Sequence, residues 1–192
     1  MQASENNTGY EEDNPASFRL KRNILLTGFM GSGKTSVGKI LARLLKVNFF
    51  DSDELITGLV GMSVNDIFRC YGEDYFRSRE TEVLEILGKK SPGSCVVSTG
   101  GGAVLRPGNL DALRKNGIIV YLDVSAEEAY RRVKEMNDRP LLQVENSLKK
   151  IEELLQKRKP FYLQADLCIS STGRTMQEIA EEIINAIRPL KF

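Results

Sequence analysis

The sequence predicts an α/β domain in which one parallel sheet carries helices on both faces. Three observations predict it. Short apolar runs alternate with segments of helical period along most of the chain. A glycine-rich phosphate-loop pattern, Gly28-Phe29-Met30-Gly31-Ser32-Gly33-Lys34-Thr35, stands at the junction of the first run and the first helix. A length of 192 residues, 41% of them hydrophobic and 28% charged, suits one domain with an ample core.

Composition narrows the chemistry. A net charge of +1 predicts attraction to neither nucleic acid nor membrane, and no stretch approaches the roughly 20 apolar residues of a membrane span. The three cysteines, Cys70, Cys95 and Cys168, lie far apart, so neither a disulfide framework nor a zinc site is expected, and a reducing compartment is. Histidine is absent, so acid–base and metal chemistry must use carboxylates, lysine, hydroxyls or water.

Met1 to about Lys21 has no hydrophobic period and is rich in Asn, Glu, Asp and Ser; residues 1–22 are expected to be a disordered tail or leader, and 23–192 one domain. Ile24 to Leu26 is the first strand. After it, the loop glycines let backbone N–H groups curl around an oxyanion, Lys34 reaches the outer phosphates and Thr35 offers a hydroxyl to Mg²⁺. Val37, Ile40, Leu41, Leu44 and Leu45 then repeat at helical spacing.

Val47 to Phe50 reads as a second strand, ending at Asp51-Ser52-Asp53. Two carboxylates at a strand's carboxyl end stand where open α/β sheets bind ligands, and Ser52 or Asp53 is equally suited to cap a helix. Ser63 with Asp66 opens a helix to Tyr71, Gly72 breaks it, and a second carries Phe76, Val83, Leu84 and Leu87. Arg77 and Glu80, three apart, can touch, as a surface ion pair or as part of a site. Cys95 to Ser98 is a third strand ending in Thr99-Gly100-Gly101-Gly102, where the backbone either approaches a ligand closely or simply turns.

Gly108 to Lys115 is a short helix and Ile118 to Leu122 a fourth strand. Ser125 and Glu128 form a capping box for the next helix. Asn137 to Asn146, holding Arg139-Pro140-Leu141-Leu142, reads as a mobile lid. Leu148, Ile151, Leu155, Arg158 and Tyr162 share a helical stripe that Arg158 interrupts. Either the arginine snorkels or it points inward at an anion. Pro160 is expected to end or kink that helix. Leu167 to Ile169 is a fifth strand, and a Thr175–Glu178 box opens a last helix with Ile179, Ile183, Ile184 and Ile187.

A phosphate loop by itself implies only nucleotide phosphate binding. No N-K-x-D guanine-reading motif accompanies it, and the chain is short for a motor or transporter. A small kinase needs an acceptor pocket, a lid that excludes water and positive charge on the transferring group. The acidic pair, the triple glycine, the arginine-bearing lid, Arg77 and Arg158 supply such parts.

Taken together and in order, the phosphate loop, Asp51-Ser52-Asp53, Gly72-Glu73 with Phe76-Arg77 and Glu80, Gly100 to Gly102, Arg139-Pro140-Leu141-Leu142, and Arg158 with Tyr162 make the chain resemble the shikimate kinases from Asn23 to about Ile187. The resemblance implies a three-layer P-loop kinase fold with strand order 2-3-1-4-5, substrate-binding helices over about 52–90 and a lid over about 137–146. It implies transfer of the ATP γ-phosphoryl group to the 3-hydroxyl of shikimate, with Mg²⁺ as cofactor. By position, Gly31, Ser32, Gly33, Lys34, Thr35, Ser36, Arg139 and Arg174 would bind nucleotide, Arg174 by stacking on adenine. Thr35 and Asp51 would hold Mg²⁺, and Lys34, Asp53 and Arg139 would be catalytic. Asp53, Arg77, Glu80, Gly100, Gly101, Gly102 and Arg158 would bind shikimate, with both arginines on its carboxylate. One departure is Thr57, where the family often has Glu; it bears on local packing.

The physics of the acceptor agrees, since a small polyol with one carboxylate calls for guanidinium forks and a hydroxyl-binding carboxylate. A gluconate kinase of the same fold is the nearest competitor, and a non-catalytic homologue the alternative of another class. The Asp-Gly-[Phe/Tyr]-Pro-Arg run of adenylate kinases is absent. A monomer acting in the cytoplasm, or in the plastid stroma of a plant, is expected, with no nucleic-acid or membrane partner.

Overall fold

A computed structural model describes residues 19–135 and 147–190. The expected lid, Arg139 included, and residues 1–18 of the expected tail lie outside the described residues. Five strands form the sheet: β1 (Asn23–Thr27), β2 (Asn48–Asp51), β3 (Cys95–Ser98), β4 (Gly117–Asp123) and β5 (Leu167–Ser170). They pair in parallel in the order β2-β3-β1-β4-β5, as expected. The register sets Leu25 of the central strand beside Val97 on one side and Ile119 on the other.

Alternation along the strands divides the core into two layers. Ile24, Leu26, Val96, Ile118, Val120 and Leu122 face α1 (Lys34–Leu45) and α7 (Met176–Ile187), which bring Val37, Leu41, Ile179 and Ile183. Leu20 joins this layer, so packed chain begins ahead of Asn23. Leu25, Val97, Ile119 and Tyr121 face the opposite layer. It is built by α2 (Ser52–Val60), α3 (Val64–Gly88), α4 (Asn109–Arg114), α5 (Ala126–Glu135) and α6 (Ser147–Tyr162). β1, β3 and β4 are therefore buried along nearly their whole length, which is why they read as apolar runs rather than as alternating ones.

Side-chain caps start four of the seven α-helices among the described residues. Ser63 Oγ accepts from the Asp66 N–H to start α3, and Thr175 and Glu178 make a complete capping box on α7. Only half of the Ser125–Glu128 box forms: Ser125 Oγ accepts from the Glu128 N–H, but the Glu128 carboxylate turns to Arg131 and Arg132. The cap of α2 is Asp51, not Ser52 or Asp53; its Oδ1 accepts from the Asp53 and Glu54 N–H groups. Ser52 has been drawn away to another partner. Thr57 donates to the Glu54 carbonyl within the same helix.

Gly72 breaks helical geometry inside α3, with φ 80° and ψ 175°. Pro160 does not end α6, which runs two residues further to Tyr162. In the last turn the proline removes one backbone donor only, and the wholly buried Tyr162 side chain anchors the turn beyond it.

Candidate functional site: a phosphate loop facing a polar pocket

The phosphate loop takes its shape from the end of β1 and the start of α1. Gly33 caps α1 with φ 93°, a left-handed conformation that glycine adopts without strain. Lys34 is buried, and its ammonium donates to the Gly28 and Phe29 carbonyls at 2.9 and 2.8 Å, with Ser32 Oγ at 3.5 Å. Ser32 is buried inside the loop, and Ser36 lies exposed on the first turn of α1.

In the first turn of α1, Thr35 Oγ1 donates to Asp51 Oδ2 at 2.8 Å and lies 3.4 Å from Ser98 Oγ. Two hydroxyls and a carboxylate thus meet at the carboxyl ends of β2 and β3. Hard oxygen donors of this kind suit Mg²⁺, which needs only one or two carboxylates besides water and phosphate oxygens. The donor set fits the ion.

The polar pocket lies beside this point. A Cβ placed on Gly100 would sit 2.6 Å from Glu80 Oε1 and 2.7 Å from Asp53 Oδ1, and one on Gly102 would collide with the Arg77 guanidinium. Three charged side chains from two helices therefore converge on the glycine run that follows β3. Arg77 and Glu80 are not a surface pair: Glu80 is wholly buried, Arg77 nearly so, and Arg77 Nη1 donates to Glu80 Oε2 at 2.8 Å. Glu73 takes the outer edge of the same guanidinium.

Burial opposes charge on Arg77, but Glu80 and Glu73 outweigh it and hold the guanidinium above its ordinary pKa. Burial pushes the Glu80 carboxyl up; Arg77 pulls it back only in part, and Asp53 adds to the rise. Glu80 Oε1 has no hydrogen-bond partner among the described residues.

Arg158 reaches the phosphate loop from α6, half-buried, with its guanidinium 5.7 Å from the centroid of Phe29. One turn on, Tyr162 stacks on Tyr121 with centroids 5.0 Å apart. Burial pushes the Tyr162 phenol up to about 12, against the pull of Arg158 and Arg77, so it is a hydrogen-bond donor at neutral pH. This favours the inward arginine over the snorkelling one.

A cavity of about 430 Å³ opens on the other side of the loop, lined by Glu128, Arg131, Arg132, Gly173, Arg174, Thr175 and Met176. Arg132 was not legible in the sequence, where its spacing from Glu128 is that of any surface pair. In the fold it donates to the carbonyls of Gly31 and Ser171 at 3.1 and 2.8 Å and to Glu128 at 2.7 Å. Arg174 bonds to Ser170 and to Glu182 within its own neighbourhood. Ser98 and Ser52 were missed too, although both adjoin recognised residues. Ser52 Oγ accepts from the Gly100 N–H at 2.9 Å.

A family model described as shikimate kinase matches residues 30–188. The chain belongs to the shikimate kinase family. It is 46% identical over 170 residues to a shikimate kinase of Caldanaerobacter subterraneus subsp. tengcongensis, covering 88% of this chain and 98% of that one. A solved shikimate kinase from Acinetobacter baumannii, in complex with shikimate, superposes with TM-score 0.84 at 39% identity and covers 93% of this chain and 100% of that chain. A gluconokinase from Sinorhizobium meliloti matches with TM-score 0.56 at 18% identity over 88% of this chain and 93% of that one, a likeness of fold alone.

Proposed function

We propose that this chain transfers the γ-phosphoryl group of ATP to the 3-hydroxyl of shikimate, giving shikimate 3-phosphate and ADP. The observation that carries the reading is the convergence of Asp53, Glu80 and Arg77 on Gly100 and Gly102, one strand end away from Thr35 and Asp51. A carboxylate for hydroxyls and a guanidinium for a carboxylate are the complements of a hydroxylated acid, and membership in the family names that acid.

In this reading the loop N–H groups from Gly31 to Thr35 and the α1 dipole hold the phosphates. Lys34 turns from the Gly28 and Phe29 carbonyls to the transferring group. Thr35 would hold Mg²⁺, with Asp51 acting through water; the ion, when bound, neutralises phosphate charge. Asp53 orients the acceptor hydroxyl and takes its proton. Arg77, steadied by Glu80, and Arg158 clamp the carboxylate, with Gly100 to Gly102 closing the pocket. Two forks offset the cost of burying that anion better than one.

The adenine ring belongs in the cavity beside Gly31 and Gly33. Arg132 spends one N–H of each guanidinium nitrogen on Gly31, Ser171 and Glu128, which fixes the plane of the group and presents its flat face to a base. Arg174 lines the same cavity. Arg139 is assigned to the phosphates from the lid. Phosphoryl transfer needs positioning and charge neutralisation more than covalent help, so a chain without histidine is fully equipped. The domain is assigned from about Leu20, which packs in the core, rather than from Asn23, and acts as a cytoplasmic monomer.

The test is ADP release from Mg-ATP with shikimate, gluconate or AMP as acceptor, run beside Asp53→Asn. Release is expected with shikimate alone, and the variant should lose about 10²–10⁴-fold in kcat while binding ATP normally, the range for a lost general base. Release with gluconate or AMP would overturn the acceptor, and near-normal turnover by the variant would remove Asp53 from the reaction.

A further inference from the structure

The glycine run has a complete hydrogen-bond account among the described residues. The Gly100 N–H goes to Ser52 Oγ, the Gly100 carbonyl accepts from Ala103 at 3.1 Å, and the Gly102 carbonyl accepts from Leu105 at 3.0 Å. The remaining carbonyl, that of Gly101, accepts from the Tyr162 hydroxyl at 2.5 Å. Every acceptor of the run is therefore occupied, and two donors, the N–H groups of Gly101 and Gly102, bond to no described residue. Buried backbone donors need partners, and a loop arranged in this way is built to give N–H groups to something with oxygens.

We infer that Tyr162 is a positioning residue for the acceptor: its hydroxyl fixes the Gly101 carbonyl, and so the orientation of the peptide that carries the Gly102 N–H. The inference rests on the reading that Gly100 to Gly102 close the acceptor pocket. Tyr162 suits the role because it cannot swing. It is wholly buried and stacked nearly parallel on Tyr121, whose own hydroxyl donates to Asp123 Oδ1 at 2.6 Å. Two consequences follow from its place in α6.

The first concerns geometry. Tyr162 stands one turn beyond Arg158, so the hydrogen bond ties the helix that presents a guanidinium to the loop that presents N–H donors. Two groups that must meet one carboxylate are held at a fixed separation. The second concerns strength. The Gly101 carbonyl and the Gly102 N–H belong to one peptide unit, and a hydrogen bond accepted at the oxygen polarises that unit and makes its N–H a better donor.

The experiment is Tyr162→Phe, which keeps the ring and its stack and removes the hydroxyl, with it the bond to Gly101 and the contact with Arg158; the amide resonances of the glycine run report on the first alone. Loss of one such bond should raise KM for shikimate roughly five- to tenfold, with KM for ATP unchanged. Backbone amide resonances of Gly101 and Gly102 should shift in the free enzyme. A merely structural role would reduce the active fraction or move both KM values together. Unmoved amides with an unchanged shikimate KM, or equal changes in both KM values, would overturn the inference.

Gly102→Ala, which sets a methyl against Arg77, reads the pocket independently. If it raises KM for shikimate and Tyr162→Phe does not, the pocket stands and the role of Tyr162 falls. If neither variant moves it, the pocket reading itself fails, and the inference with it.

Discussion

The nucleotide half and the acceptor half of the site are built by different means. The phosphate loop is a single stretch of eight residues, Gly28 to Thr35, whose glycines and following helix create its anion-binding surface locally. The acceptor pocket draws Asp53 from α2, Arg77 and Glu80 from α3, Gly100 to Gly102 from the end of β3, and Arg158 from α6. Arg77 and Glu80 are paired with each other, and the backbone of the glycine run is pinned by Ser52 and Tyr162. A local site tolerates drift in the surrounding fold, whereas an assembled one inherits every error of packing. In the proposed reading, binding of phosphate would depend on the loop, and recognition of the acceptor on the whole layer of helices above it.

Substitutions should separate the two halves. After Asp53→Asn, the largest effect is expected for Lys34→Met, which removes the cation from the loop; kcat should fall about 10²–10³-fold, the scale of one lost electrostatic contact to a developing charge. KM for shikimate should stay within about twofold, since only the loop is touched. A large rise in that KM would erase the division between the halves.

Next comes Arg158→Lys, which keeps the charge but loses the planar fork over Phe29. KM for shikimate should rise about tenfold, the scale of one charge-assisted hydrogen bond, with KM for ATP unmoved. An unchanged shikimate KM would return Arg158 to the role of a snorkelling surface residue.

The smallest effect concerns pH. Burial, reinforced by Asp53, raises the Glu80 carboxyl above its usual 4.5 against the opposing pull of Arg77 and Arg106. A raised folded pKa means that the folded chain holds the proton longer than the unfolded one. That contribution to stability is full below 4.5 and is lost as pH rises through the folded value. Denaturation midpoints should therefore fall more steeply with rising pH, from 4.5 upward, in the native chain than in Glu80→Gln. Parallel profiles would mean that Glu80 is no more strained than a solvated carboxylate.

The elements that the sequence disclosed are those with local causes. Apolar runs gave all five strands, of which β1, β3 and β4 are buried along nearly their whole length, and the Ser63 and Thr175 caps act within three residues. Errors arose where a local rule met a distant partner. Asp51 caps α2 because Ser52 is committed to Gly100, 48 residues away. Glu128 leaves its box because Arg131 and Arg132 compete for it, and Arg132 is held in place by Gly31, 101 residues away. Pro160 fails to stop α6 because Tyr162 is gripped by Tyr121 and Gly101.

By itself, then, the sequence determined the phosphate loop, the strand and helix alternation, and the identity of the charged residues, because periodicity, glycine conformation and capping act over a few residues. Tertiary structure alone decided that Arg77 pairs with a buried Glu80, that Arg158 lies over Phe29, that Arg132 bonds to Gly31, Ser52 to Gly100 and Tyr162 to Gly101, and that Ser98 stands beside Thr35. The physical reason is distance along the chain: desolvation and hydrogen bonding depend on which surfaces the parallel crossovers bring together, and no local pattern encodes that contact.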